Sequence, residues 1–315
     1  MNFSKDLSED YSRHYAVGSE PLAKAWQEVF SVTRSILKDP RMNHWTLGPQ
    51  VLPFVWHTAM SNDALDGARL PYPNMVLEYN YCAEALGITT PIREGNVEAA
   101  QRVTILSEQT RAGVDGFVMA AYAKANLPWN QYHEPSAPAW IPSFYALFIS
   151  YKALSEIEGH FEQINDSEWL IHYDKGGINP FPWLSFGQLA EKEPSTRRNG
   201  MLEELGDDLK IVIGLLAILN CSNAPTTTIP APKFLNRKRK KKGKVLIPEY
   251  RTLHVSAPAA TTSRVSLSST AGPRATHWRR GHIRNQPTAK GPIRKWIKPC
   301  IIGAGTATPK EVVVT

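Results

Sequence analysis

Apolar positions recur at the helical period over residues 20–37, at Leu22, Trp26, Val29, Phe30 and Ile36, and Asp39-Pro40 closes the stretch. That pattern predicts a helix. MNHWTLGPQVLPFVWHTAM (residues 42–60) is aromatic and punctuated by proline, which predicts an irregular packed element. In LPYPNMVLEYNY (residues 70–81) large side chains alternate after two prolines, the signature of a strand, with turn residues near Leu86-Gly87. Residues 96–125 read as a long helix or helix pair broken at Ala112-Gly113, and residues 140–158 as a further helix rich in buried aromatics. HYDKGG (residues 172–177) reads as a loop. The clearest helix is residues 202–220, acidic at its start and then continuously apolar, so buried on most faces.

Past Cys221 the composition changes. SNAPTTTIPAP (residues 222–232) reads as a linker, and eight of the next twelve residues, KFLNRKRKKKGK, are basic. VLIPEYRTLHV follows as a strand with one proline at its edge, and residues 256–275 form a Ser/Thr/Ala/Pro-rich connection. HWRRGHIRNQPTAKGPIRKWIKPC (residues 277–300) then reads as two extended segments joined by a turn at NQPTAKG. The expected fold class is α+β: a mixed helical and strand N-terminal body over residues 1–221, a linker over 222–232, and a basic β-rich C-terminal module over 233–315. The module has few large apolar residues, so its hairpin is expected to pack on the body. No internal repeat is found.

Charge sharpens this division. The chain of 315 residues is 42% hydrophobic, enough for one large or two modest domains. Residues 233–315 carry 19 Lys and Arg against Glu249 and Glu311, a balance of +17 within a whole-chain +7, which leaves the rest at −10. Such asymmetry points to an anionic partner, against the alternative that the acidic body merely neutralises the basic tail. Cys82, Cys221 and Cys300 are odd in number and form no CxxC pair, which favours a reducing compartment. The polar start, MNFSKDLSEDYSRHY, lacks the apolar core of a signal peptide. The longest apolar run, IVIGLLAIL, is too short to span a bilayer. No membrane association is expected.

The candidate chemistry follows the cations. Between Arg279 and Lys295 lie six Arg and Lys beside Trp278 and Trp296, and no acid falls between Glu249 and Glu311. Cations neutralise phosphates, while indole and imidazole faces offer stacking surfaces to unpaired bases. The expected nucleic-acid contacts are Arg237, Lys238, Arg239 and Lys240 in the polybasic run, and Trp278, Arg280, His282, Arg284, Lys290, Arg294 and Trp296 in the hairpin. Within it, strand alternation places Arg280, His282 and Arg284 on one face and Arg279 and Ile283 on the other. Ile283, as the apolar member, should turn inward. A solvated basic surface without a partner is the plainer alternative. His282 is also a candidate acid or base for metal-independent RNA cleavage, with neighbouring cations stabilising the phosphorane. His277, His282 and Cys300 lack a fourth ligand at any zinc spacing, so no metal is expected. No phosphate-cradling glycine loop, GxSxG elbow or HExxH motif is present, and no cofactor is expected.

Three blocks, LLAILNCSNA, KFLNRKRKKKGKVLIPEYRTLHV and HWRRGHIRNQPTAKGPIRKWIKPCIIG, resemble the C-terminal half of the second-described family of type V-A anti-CRISPR proteins and its phage and plasmid relatives. The most specific piece is HxRRGHxR, here His277 to Arg284, followed by Trp296-Ile297-Lys298-Pro299. The resemblance implies lowered production of the type V-A CRISPR effector nuclease, through recognition of its nascent N-terminal peptide and degradation of the translating message. It therefore implies RNA or a ribosome-associated complex as a partner, a nascent or host protein as another, and the cytoplasm of a bacterial host cell as the setting. The expected function is a phage- or mobile-element-type regulator binding RNA or a translating complex through the basic module. The alternatives are a ribonuclease using His282 and a structural phage protein that binds nucleic acid.

Overall fold

The computed structural model describes residues 21–39, 41–48, 51–59, 68–81, 101–125, 139–155, 161–165, 168–171, 173, 177–183, 195–244, 246–254, 277–279, 282–297 and 300–302. The expected connection over residues 256–275, the turn near Leu86-Gly87 and most of the loop over 172–177 lie outside the described residues.

Helix α1 (Pro21–Leu37) follows the apolar stripe and buries Ala25, Val29 and Phe30. In the next segment the described residues are regular, not irregular: β1 (Asn43–Leu47) ends before Gly48, and α2 (Leu52–Ala59) follows. A strand covered on both faces, with His44, Trp45 and Leu47 all buried, loses the period-two alternation that would have marked it. Strand β2 (Asn74–Asn80) forms where alternation and prolines placed it.

The largest correction concerns residues 96–125 and 140–158. Within the described residues these are strands: β3 (Gln101–Arg111), β4 (Val114–Ala125) and β5 (Ala139–Ser150), with only the single turn α3 (Tyr151–Ser155) helical. Alanine, glutamine and methionine favour helices in isolation, but burial against covering helices overrides that preference. The expected break at Ala112-Gly113 is real. It is a two-residue hairpin loop between paired Arg111 and Val114, with φ of 48° and 78°, the mirror-image turn that matches strand twist.

The remaining elements are β6 (Phe161–Asn165), β7 (Glu168–Ile171), β8 (Ile178–Pro182), α4 (Ser195–Leu219), β9 (Thr226–Ile229), α5 (Lys233–Lys241), β10 (Tyr250–Leu253), β11 (His277–Arg279), β12 (His282–Gln286), β13 (Ile293–Ile297) and β14 (Cys300–Ile302). An eight-stranded mixed sheet runs β8-β5-β4-β3-β2-β1-β10-β9, and three two-stranded ladders pair β6 with β7, β11 with β14 and β12 with β13. Strand β1 is parallel to both β2 and β10. The sheet thus joins residues on either side of Cys221. Thr226–Ile229, within the stretch that reads as a linker, forms one of its edges.

Helices cover both faces of the sheet. On one side α2 and α4 pack on Trp45, Leu77, Phe117, Met119 and Leu147; on the other α1 packs on Val76, Val103, Ile105, Tyr122 and Trp140. At Gly214 in α4 an added Cβ would stand 1.9 Å from the Val55 carbonyl oxygen, so only glycine lets α4 approach α2 this closely. The class is α+β. Among the described residues no helix is long and apolar enough to cross a membrane.

Candidate nucleic-acid interface

The cations are displayed by two elements, α5 and the β12–β13 hairpin. Pro232 precedes α5 at its N-cap position and Gly243, at φ 62°, terminates it. The amide N–H groups of Lys242 and Lys244 both donate to the Arg239 carbonyl at 3.0 Å. Asn236 locks the return chain: its Nδ2 donates to the Ile247 carbonyl and its Oδ1 accepts the Ile247 N–H, each at 2.8 Å. On this scaffold Lys233, Arg237, Lys238, Lys240 and Lys241 are exposed, as are Lys242 and Lys244 beyond it. Arg239 differs, being buried at 7% exposure. Phe234 and Leu235, which the sequence reading passed over, are exposed at 71% and 45%.

The hairpin is closed by NQPTAKG, where Thr288 and Gly291 exchange backbone hydrogen bonds at 3.0 and 3.2 Å and Gly291 takes φ 108°. Its register pairs Ile283 with Trp296 and Arg284 with Lys295. Cross-strand partners share a face. Ile283 and Trp296, each 1% exposed, therefore point together into the main core, and Arg284 stands exposed on the opposite face with half-buried His282 and Lys295. Burial of Trp296 removes its ring as a stacking surface. Arg294 shares the inner face and is half-buried, while Lys290 is exposed in the turn. Trp278 lies on β11 opposite Ile301, its side chain outside the described residues, and Arg280 lies outside them altogether.

The hairpin is fastened to the chain just after α4. Asn223 reads the Trp296 backbone like a neighbouring strand, its Nδ2 donating to the carbonyl and its Oδ1 accepting the N–H, each at 2.8 Å. The Ser222 N–H donates to the Arg294 carbonyl at 3.0 Å.

A second concentration of polar groups escaped the sequence reading. Asp208 of α4 is buried, with Oδ1 accepting from the Tyr79 hydroxyl at 2.5 Å and Oδ2 facing Arg102 at 3.3 Å. Arg102 also faces Glu204 at 3.6 Å. Beside them Asp207 accepts from the Tyr81 hydroxyl at 2.9 Å and pairs with Lys210 at 3.0 Å. Burial pushes the Asp208 carboxyl up to about 6, while Arg102 and then the Tyr79 hydrogen bond pull it back. Burial, then the Asp208 charge, drives Tyr79 well above the usual phenol range. Both carboxylate oxygens of Asp208 are engaged, so the cluster acts as a strap between α4 and strands β2 and β3. Its signals were the LEELGDDLK acids, attributed to a helix start, and the YNY at the end of a strand.

The architecture is thus an α+β protein whose exposed cations gather in its last third. Residues 114–304 match the AcrVA2-like family, described as the anti-CRISPR type V subtype A2 family. The chain belongs to that family. A solved structure, the crystal structure of AcrVA2, shares 12% sequence identity over 93% of this chain and 81% of that one, at a TM-score of 0.34. That likeness is too shallow to bear on the fold. No curated protein matches the sequence.

Proposed function

We propose that this anti-CRISPR-family protein binds RNA, free or within a translating complex, through the cations of its C-terminal part, while the acidic body selects a nascent or host protein partner. The observation that carries the reading is α5, where Lys233, Arg237, Lys238, Lys240 and Lys241 stand exposed with no acid among them. The helix carries no acid that could pair with these cations along its own length, and a phosphate chain is the complementary ligand. Arg284, Lys290 and Lys295 of the hairpin extend the set.

The test is fluorescence anisotropy of the full chain with labelled single-stranded RNA across a salt series. Each neutralised phosphate contributes about 0.7 to the slope of log affinity against log salt. Replacing Arg237, Lys238, Lys240 and Lys241 together by Gln should lower that slope by about 3. Absence of binding at low salt, or a slope untouched by the fourfold replacement, overturns the reading.

A further inference from the structure

We propose that α5 is a platform for unpaired bases, with Phe234 as its stacking surface, so that the RNA taken here is single-stranded and not duplex. This rests on the RNA reading above and specifies its ligand.

Phe234 is the most exposed of the large hydrophobic side chains among the described residues, at 71%. It sits on an element otherwise dominated by cations. Lys238, one turn further along α5, holds its ammonium 4.4 Å from the ring centroid. Arg237 is three residues from Phe234 and Lys241 seven, spacings that fall on the same side of a helix. Ring and cations are therefore presented together. An i,i+4 contact of this kind steadies a helix only slightly, and that contact does not require the ring to stand in water.

The geometry fits a single strand better than a duplex. In a duplex the bases are stacked on one another, and the deep, narrow major groove of A-form RNA excludes side chains. Cations alone would serve that ligand, and an aromatic ring would add nothing. A single strand offers both parts at once: phosphates to Arg237, Lys238 and Lys241, and a base face to Phe234. Trp296 is buried, whereas Phe234 stands exposed among the cations of α5, where a base can reach it.

The experiment uses the full chain and three labelled probes of about a dozen residues, within the span of known single-strand sites: an oligouridine strand, an abasic strand with the same phosphates, and an RNA duplex. The wild type should prefer oligouridine to both others. Phe234→Ala should weaken oligouridine binding about 5-fold or more, leave the abasic strand unchanged, and keep the salt slope. Phe234→Trp should retain the preference. Lys238→Ala should instead lower the slope by about 0.7 on both single strands. If the wild type binds none of the probes, the RNA reading itself fails. If it binds oligouridine and the abasic strand alike and Phe234→Ala alters neither, RNA binding stands and the platform is overturned. Equal losses on both strands show that the ring only supports the helix, and overturn it too. Vesicles containing phosphatidylserine form the last arm: weaker vesicle binding by Phe234→Ala, with oligouridine binding intact, assigns the ring to a lipid surface and overturns the proposal.

Discussion

His44 and Asp208 are buried titratable groups whose effects on stability oppose one another. Burial lowers His44 to about 4 from 6.5, so the folded state resists a proton that the unfolded chain accepts. Its contribution is complete above 6.5 and is lost as pH falls toward 4. Asp208 runs the other way. Raised to about 6 from 3.8, chiefly by burial, it is protonated in the folded state before the unfolded one, so its contribution is present below 3.8 and lost as pH rises through 6. Between pH 6.5 and 4 the two largely offset each other. Thermal melts across that window should show His44→Gln losing less stability on acidification than the wild type, and Asp208→Asn losing more. Parallel curves for all three would mean that neither group stays buried in its folded-state setting.

Among elements, the hairpin β12–β13 shows what fastens the basic surface to the core. Asn223→Ala leaves the Trp296 N–H and carbonyl without their side-chain partner, at a cost of about 1–3 kcal/mol. Hydrogen exchange should quicken over residues 282–297 and stay unchanged over 101–125; uniform quickening would show that the hairpin opens only with the whole sheet. This hairpin was legible because turn residues and β-formers marked it locally. Local pattern also marked α1 by its helical period, β2 by its alternation and α4 by its apolar run. Strands β3, β4 and β5 were not, because their helix-like composition is overruled by neighbours distant in sequence, although Ala112-Gly113 betrayed the turn between them. The candidate site divides similarly. That Arg237, Lys238 and Lys240 would be solvated follows from their chemistry, whereas the burial of Arg239 and Trp296 depends on docking and register. An apolar Phe234 left in water is invisible to any rule that places apolar groups inside.

For the whole molecule, the sheet and core join residues before and after Cys221. Strand β10 lies beside β1, and Ile283 and Trp296 belong to the same core as α2 and α4. A chain ending at Cys221 would lack β9, β10 and both hairpin side chains, and would leave one edge of β1 unpaired. It should elute as aggregate and show no cooperative near-ultraviolet melt. A cooperative melt like that of the full chain would instead establish residues 1–221 as a self-sufficient body. The β1–β10 pairing also sets an order of events during synthesis. His44 finds its partner Tyr250 only after the intervening chain has been made, on the order of 10–40 s at ribosomal rates. Until then β1 has an open side, and a nascent chain is vulnerable there to strand exchange with other chains. Helix α5 is carried between β9 and β10, so the step that seals the first strand is also the one that sets the cationic helix in its place.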